Sequence, residues 1–416
     1  MAQLSDDCFA FGGPLMSVEE ALALIGERIS PVAEVEDVPV HSAAGRVLAR
    51  EVTALVDLPP FDNSAVDGWA VRHADLAREG ETRLPVSGRV IAGSAAGAMP
   101  AGHAVRIFTG APMPAGADTV FMQEDVTLDG EMVVLPSGLK RGANARRAGE
   151  DIGRGAVALP AGRLLRPQDL ALAAAVGHAH LPVRRPLRVA VFSTGNELVE
   201  PGRPLPPAGI YDSNRFALIA LLGRMGVAVS DLGVLRDEPA SLREALAAAS
   251  GGHDLILTSG GVSTGEEDHV RAAVEAAGRL VFWRLAIKPG RPVAMGVIAG
   301  TPFVGLPGNP VAVFVTFTFV VRPLLARLMG AEVPRPLAIP ARAAFAYRKK
   351  AGRREFVRVS LRRRTDGAYE AVKYPRDGAG VLTSLTETDG LAALPEDMTG
   401  LAEGDMVDVY PYGLLG

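Results

Sequence analysis

Three short motifs in the second half of the chain gather residues suited to holding an anion. They are Phe192-Ser-Thr-Gly-Asn-Glu-Leu198, Thr258-Ser-Gly-Gly-Val-Ser-Thr-Gly265 and Gly305-Leu-Pro-Gly-Asn-Pro310. Each follows an apolar run, so each is expected at the carboxyl end of a strand, where open parallel sheets bind ligands. The candidate binding residues are Thr194, Gly195, Ser259, Gly260, Gly261, Ser263, Pro307, Gly308, Asn309 and Pro310. The glycines let backbone N–H groups turn toward an anion, and a following helix N-terminus adds a favourable dipole. One such run serves equally well as a tight turn; three at one sheet edge favour a ligand. No Gly-Lys-Ser/Thr follows the glycines, so this is not a P-loop.

Carboxylates accompany the loops: Glu197, Asp237 in Arg236-Asp-Glu-Pro239, and Asp268 in Gly265-Glu-Glu-Asp268. Acids beside a phosphate cradle suit Mg²⁺, which takes one or two carboxylates and bridges substrate phosphates. Asp268 also suits the N-cap of the helix it precedes. Lys288-Pro-Gly-Arg291 is a turn carrying two cations, with Arg284 upstream, and fixed cations of this kind suit an oxyanion. Pro59-Pro-Phe-Asp-Asn-Ser-Ala-Val-Asp-Gly-Trp69 and Phe108-Thr-Gly-Ala-Pro112 are polar turns in apolar frames; either reads as a site or as an Asx-turn cluster. The seven histidines show no metal spacing, and His178-x-His180 lacks a third ligand.

The elements that position these motifs follow from hydrophobic period and turn residues. Ser17-Val-Glu-Glu20 reads as a capping box opening a helix from Val18 to Ile29. Short apolar runs between Asp57 and Val134, separated by Gly and Pro, describe a small β-rich domain. Pro167 starts a helix over 168–176. From Leu187 to Gly330 strands alternate with helices, which predicts a parallel α/β sheet covered on both faces. Pro334-Arg-Pro336 reads as a linker to a second small β domain. The expected division is 1–56 with 143–184, 57–142, 185–332 and 333–416, a fold of class α/β plus β.

Composition bounds the reading. At ~150 residues per domain, 416 residues predict roughly two to four domains. A hydrophobic share of 48% with 22% charged residues gives large cores and excludes wholesale disorder. A net charge of −4 argues against a chain built to bind nucleic acid. The single cysteine, Cys8, excludes a disulfide framework and a cysteine zinc site, suits a cytoplasmic setting, and sits near a terminus expected to be mobile. The start lacks a basic n-region, so no secretory signal is expected. The apolar run Val311–Val321 is too short to span a bilayer and reads as a buried helix.

Taken in order, FDNSAVDGWAVR, FTGAPMPAGAD, RRAGEDI, FSTGNEL, IYDSN, TSGGVSTGEEDH, IKPGRP and GLPGNPVA resemble the motif series of the molybdopterin molybdenumtransferases, the MoeA family, which includes the gephyrin E domain. The resemblance runs from about Met16 to the C-terminus. It implies insertion of molybdate into adenylylated molybdopterin with release of AMP, a requirement for Mg²⁺, and an elongated homodimer. It implies four subdomains: a discontinuous linker, a β domain, an α/β molybdopterin-binding domain and a C-terminal β barrel. The active site would lie between the last two of one subunit and the first two of its partner.

By the same resemblance, Asp67, Thr109 and Asp151 are functional positions presented to the facing subunit, and Glu197, Asp237 and Asp268 form the acidic, Mg²⁺-binding cluster. Lys288 and Arg291 hold molybdate, Pro307 and Pro310 lie under the pterin, and Arg358 is a basic residue of the barrel. Arg284 and Arg291 stand where many members carry Lys, Asn196 where the motif has Asp, and Ala312 where Ser is frequent. Ala379 lacks a hydroxyl found in many members, and Ser384 is the candidate substitute. The competing readings are a molybdopterin adenylyltransferase, against which the FDNSAVDG motif and the extra domains argue, and a scaffold of the gephyrin type. Tungstate is an alternative anion. Further partners would be the adenylyltransferase and molybdoenzyme maturation proteins; neither nucleic acid nor a membrane is expected.

Overall fold

The computed structural model describes residues 5, 8–10, 15–236, 238–260, 269–333 and 336–415. Asp237, Gly261, Ser263 and Asp268 therefore lie outside the described residues.

Helix α1, Val18–Arg28, opens with the expected capping box. The Ser17 hydroxyl accepts from Glu20 N at 3.1 Å, and the Glu20 carboxylate accepts from Ser17 N at 2.7 Å. Its apolar stripe of Val18, Ala21, Leu24 and Ile25 packs into the core of the α/β domain. Before it, Cys8 and Phe9 are buried, Phe9 packs edge-on against Trp283 at 5.9 Å, and Trp283 Nε1 donates to Phe9 O at 2.9 Å. At Cys8 and Phe9 the expected mobility is not found, because Phe9 supplies an aromatic partner and a carbonyl acceptor for a buried indole.

Val35–Pro39 pairs antiparallel with His180–Arg184, and Val52–Thr53 with Val157–Leu159. Residues distant in sequence thus share one small core that includes Leu48, Leu159, Leu165 and Leu181. Between them lies a six-stranded sheet of β1 (Gly68–Val71), β2 (Thr82–Val90), β3 (Ala104–Ile107), β4 (Thr119–Met122), β5 (Thr127–Asp129) and β6 (Met132–Leu135). Its order is β4-β1-β3-β2-β6-β5. Helix α2, Pro167–Ala175, begins at the expected proline and is capped by Asp169, which accepts from Arg166 N at 2.9 Å.

The α/β domain contains β7 (Arg188–Thr194), α3 (Asn214–Arg224), β8 (Ala228–Leu235), α4 (Pro239–Gly252), β9 (Leu255–Ser259) and α5 (His269–Ala277), then β10 (Gly278–Arg284), β11 (Ile287–Lys288), β12 (Pro292–Ile298) and β13 (Thr301–Leu306). The sheet order is β8-β7-β9-β13-β12-β10. The first four strands are parallel; β12 runs antiparallel to both of its neighbours, β13 and β10. The sheet is therefore mixed rather than wholly parallel. The reason is local: Ala299 (φ 48°) and Gly300 (φ 83°) form a two-residue, left-handed connection, which joins antiparallel neighbours and is too short for a crossover. Helices α4 and α5 cover one face of the sheet, and α3 with the 310–329 helix covers the other.

That last helix is longer than its apolar run. It comprises α6 (Pro310–Thr316), a π-turn (Phe317–Val321) and α7 (Arg322–Met329). Its 20 residues would suffice to cross a membrane by length and composition, yet 83% of its most apolar window is buried inside the fold. Thr316 and Thr318 return their hydroxyl protons to the carbonyls of Ala312 and Phe314 at 2.7 and 2.8 Å, so neither is left unsatisfied in the core.

The C-terminal strands β14 (Ile339–Ala343), β15 (Arg354–Arg363), β16 (Tyr369–Lys373), β17 (Gly390–Leu394) and β18 (Met406–Pro411) close into a barrel through β15–β17 pairing. Ala341, Val357, Val359, Leu394 and Val409 fill it. Strand β11, from the α/β domain, pairs with β15 in parallel, matching Ile287 with Arg354 and Lys288 with Glu355.

Candidate functional site

Strands β7, β9 and β13 end together: Ser193 is level with Ser259, and Ser259 with Leu306. Gly260 continues from this edge with φ 88° and donates its N–H to Leu306 O at 3.1 Å. A Cβ at Gly260 would meet Thr194 O at 2.6 Å, so only glycine lets the second motif lie this close to the first. Gly195 (φ 154°) is similarly crowded, here by the Glu197 carboxylate at 2.7 Å.

Asn214 ties the loops together. Its side-chain amide donates to Ser259 Oγ at 2.9 Å and to Gly308 O at 2.7 Å, and Ser259 Oγ donates to Pro307 O at 3.3 Å. Asn214 opens α3, whose next residue, Arg215, is buried and ion-paired with Asp212, Asp231 and Glu200. These three acids outweigh the cost of burying the guanidinium and hold its proton more firmly than usual. At the same sheet edge Ser193, Thr194 and Thr258 bury hydroxyls with no partner among the described residues. Each such group costs about 1–3 kcal/mol, a debt that a bound polar ligand would relieve.

Glu197 is exposed, and its carboxylate has no hydrogen-bond partner among the described residues. No cluster of three or more His, Cys, Asp or Glu suited to a metal occurs among them. Pro307, Gly308 and Asn309 lead into α6; Asn309 is its N-cap residue, and Pro310 its first residue. Val311 N donates to Ala379 O at 3.0 Å, so the barrel loop caps this helix through its backbone, without the missing hydroxyl.

The turn after β11 is pinned to α6. Gly290 has φ 110°, and a Cβ there would lie 2.6 Å from Thr316 Cγ2. Lys288 Nζ donates to Glu355 Oε2 at 3.0 Å with the lysine side chain half exposed. Burial disfavours the ammonium, but the bond to Glu355 and that residue's charge prevail, so Lys288 keeps its proton more firmly than a free lysine. Burial likewise opposes ionisation of Glu355, and the donors Lys288 and Tyr347 reverse this. Arg291 is exposed, with no side-chain hydrogen bond among the described residues.

Arg358 is buried at 7% exposure and laced to the barrel. Its Nε donates to Ser384 Oγ at 3.1 Å, and one Nη donates to Gly378 O at 3.1 Å. Ser384 is not an open hydroxyl: its single proton is donated to Val381 O at 2.5 Å. In this arrangement it orients Arg358 and spends its proton on the Val381 carbonyl.

On the N-terminal β domain Asp67 and Thr109 meet. Both the N–H and the hydroxyl of Thr109 donate to Asp67 Oδ1 at 2.8 Å. These bonds, aided by Arg106, hold the Asp67 carboxyl below its ordinary range. Arg106 lies 5.2 Å from the Trp69 ring centre and 4.8 Å from that of Phe108, in the wall of an open groove of about 1030 Å³. Asp151 is exposed, its N–H bonded to Leu58 O at 3.0 Å. The FDNSAVDG and RRAGEDI segments pack together through Asp62, which accepts from Ala148 N at 2.8 Å, and just outside them Asp57 accepts from Arg154 N at 2.8 Å.

Within IYDSN the sequence assigns Asn214 no role of its own, and it marks neither Glu355 nor Tyr347. Asn214 stood inside a noted motif; Glu355, in an arginine-rich stretch, carried no signal.

An α/β domain with three strand-end loops at one edge, joined by a shared strand pairing to a closed barrel and preceded by a β-rich region, defines a multidomain ligand-binding α/β protein. The sequence matches the MoeA N-terminal region (domain I and II) over residues 16–177, a probable molybdopterin binding domain over 190–327, and the MoeA C-terminal region (domain IV) over 340–412. It is 38% identical over 406 residues to the molybdopterin molybdenumtransferase of Haemophilus influenzae, covering 97% of this chain and 100% of that one. It is 35% identical to that of a Nostoc species, covering 94% and 92%. A solved molybdopterin biosynthesis MoeA protein from Pyrococcus horikoshii superposes with a TM-score of 0.82 at 31% identity, covering 96% of this chain and all of that one. The chain belongs to the MoeA family.

Proposed function

We propose that this chain completes molybdenum cofactor by inserting molybdate into adenylylated molybdopterin, with release of AMP. Full-length relatives bear the name molybdopterin molybdenumtransferase. The observation that carries the reading is the loop cluster closed by Gly260 and Asn214, set against the Lys288 turn and the barrel. It offers backbone donors and a helix N-terminus for phosphate beside one fixed cation, Lys288, and an exposed one, Arg291, for a dianion.

In this reading Thr194, Gly195, Ser259 and Gly260 present the phosphate cradle, continued by Gly261 and Ser263. Pro307, Gly308, Asn309 and Pro310 form the floor. Lys288 and Arg291 hold molybdate, and Arg358 keeps the adjoining barrel loop in place. The dithiolene sulfurs that receive the metal belong to the substrate, so a chain with one buried cysteine is no obstacle. An all-carboxylate donor set fits Mg²⁺ rather than a soft metal. Glu197, with its open carboxylate, would hold the ion with Asp237 and Asp268, and the ion would neutralise charge on the phosphoric anhydride. Asp67, Thr109 and Asp151 would complete the site from the partner subunit of a homodimer, in the cytoplasm.

The test is AMP release from adenylylated molybdopterin with and without molybdate. Release that depends on molybdate, is lost with EDTA and is restored by Mg²⁺ is expected. ATP consumption with molybdopterin would instead identify an adenylyltransferase, and Asp237→Ala retaining full release would remove the acids from the mechanism.

A further inference from the structure

Glu355 is a carboxylate 1% exposed that receives three side-chain donors. Lys288 Nζ donates to Oε2 at 3.0 Å, Tyr347 OH to the same oxygen at 2.9 Å, and Arg353 Nε to Oε1 at 3.1 Å. The backbone fixes the same pair, because Lys288 and Glu355 are ladder partners of β11 and β15. On its other side Glu355 is level with Leu394 of β17, so its strand is held along both edges. The acid is rigid and buried; the lysine it holds is half exposed.

A lysine side chain is a point charge on a flexible stem and, if free, retreats to water. A buried carboxylate does not readily give up its cation, since an unpaired buried charge is costly. An ammonium has three protons, and one is spent on Glu355. Two remain for an oxyanion, from a nitrogen that no longer wanders. Joining the two domains does not by itself account for the pair, because Arg354 already bridges Glu19 and Glu396 at 2.8 and 3.0 Å beside the β11–β15 ladder.

We infer that Glu355, completed by Tyr347, is a positioning residue that anchors the Lys288 ammonium where the α/β domain meets the barrel, so that its remaining protons face a tetrahedral dianion. The inference rests on reading this turn as the molybdate site.

The experiment compares the full-length chain with Glu355→Gln, Tyr347→Phe and Lys288→Ala. Glutamine keeps shape but removes a negative charge, so titration with sodium molybdate should show binding as tight as in the unmodified chain or tighter. Turnover should fall by up to about 10²-fold, the scale of a roughly 1 Å misplacement of a positioned group. Acylation of Lys288, read by mass spectrometry, should accelerate as its partner is lost. Tyr347→Phe should move turnover and acylation the same way by less, and it carries the test if Glu355→Gln does not fold. Lys288→Ala should lose both affinity and turnover. Unchanged turnover or unchanged acylation in Glu355→Gln overturns the anchor. Parallel loss of Tm, affinity and turnover also overturns it, in favour of a structural role. An unmodified chain that binds molybdate without releasing AMP sinks the proposed function instead, while acylation still reads the anchor.

Discussion

Thr109 gives both of its protons to one oxygen of Asp67, the N–H and the hydroxyl each at 2.8 Å. These two bonds favour the ionised form of the Asp67 carboxylate and hold it in one orientation. Thr109→Val keeps the N–H and removes the hydroxyl. The Asp67 titration, followed by carboxyl NMR, should then move up toward 3.8. Because this group's folded value is depressed, its small stabilising effect is present above the ordinary value and lost as pH falls through the folded one. A Thr109→Val spectrum with an unmoved Asp67 signal would show that the hydroxyl contributes nothing.

Acid should unfold the protein through two buried carboxylates rather than through the site. Asp254 and Asp169 are each depressed from 3.8 to about 2; burial opposes this, and Arg185 with Arg188, or Arg163 with Arg166, prevails. Their contribution is fully present above about pH 4 and is lost as pH falls toward 2, on the order of 2 kcal/mol each. Urea melts between pH 5 and pH 2 should show this loss, and Asp254→Asn should flatten part of it.

Asn214→Leu removes the amide that joins the Ser259 and Gly308 loops. About 1–3 kcal/mol of stability should go with it, since the acceptors lose their donors. Substrate binding should suffer more than stability, measured as a KM rise for the adenylate that exceeds the fall in folded fraction.

Gly290→Ala should displace the Lys288 turn, because the new methyl would meet Thr316 Cγ2 at 2.6 Å. A loss of about 1–3 kcal/mol is expected from overpacking. Thr316→Ser removes that methyl and keeps the hydroxyl that bonds Ala312 O. The double variant should recover part, not all, of the Tm, since the left-handed backbone at residue 290 still penalises alanine.

Local chemistry was the part of this protein legible in its sequence. Ser17 with Glu20 announced α1, Pro167 announced α2, and the alternation from Leu187 onward announced the covered sheet. The antiparallel edge was not legible, because the apolar runs on either side of Ala299-Gly300 read alike in parallel and antiparallel strands. Relations across the chain were not legible. Asn214 reaches loops 45 and 94 residues away, a distance that no spacing rule covers. Glu355 sits among arginines and reads as a solvated face, whereas it is buried by a strand partner 67 residues earlier. Ser384 reads as a free hydroxyl until its single proton is counted.

The pairing of Ile287–Lys288 with the first residues of β15 also bears on how such a protein can be divided. A chain ending before the barrel would keep the α/β sheet and its loops intact. It would leave β11 with a bare edge, Lys288 with no counter-charge, and the α6 N-terminus without the Ala379 carbonyl. The sheet and its loops could thus survive as an independent module, but the Lys288 turn would lose the strand and the carboxylate that hold it.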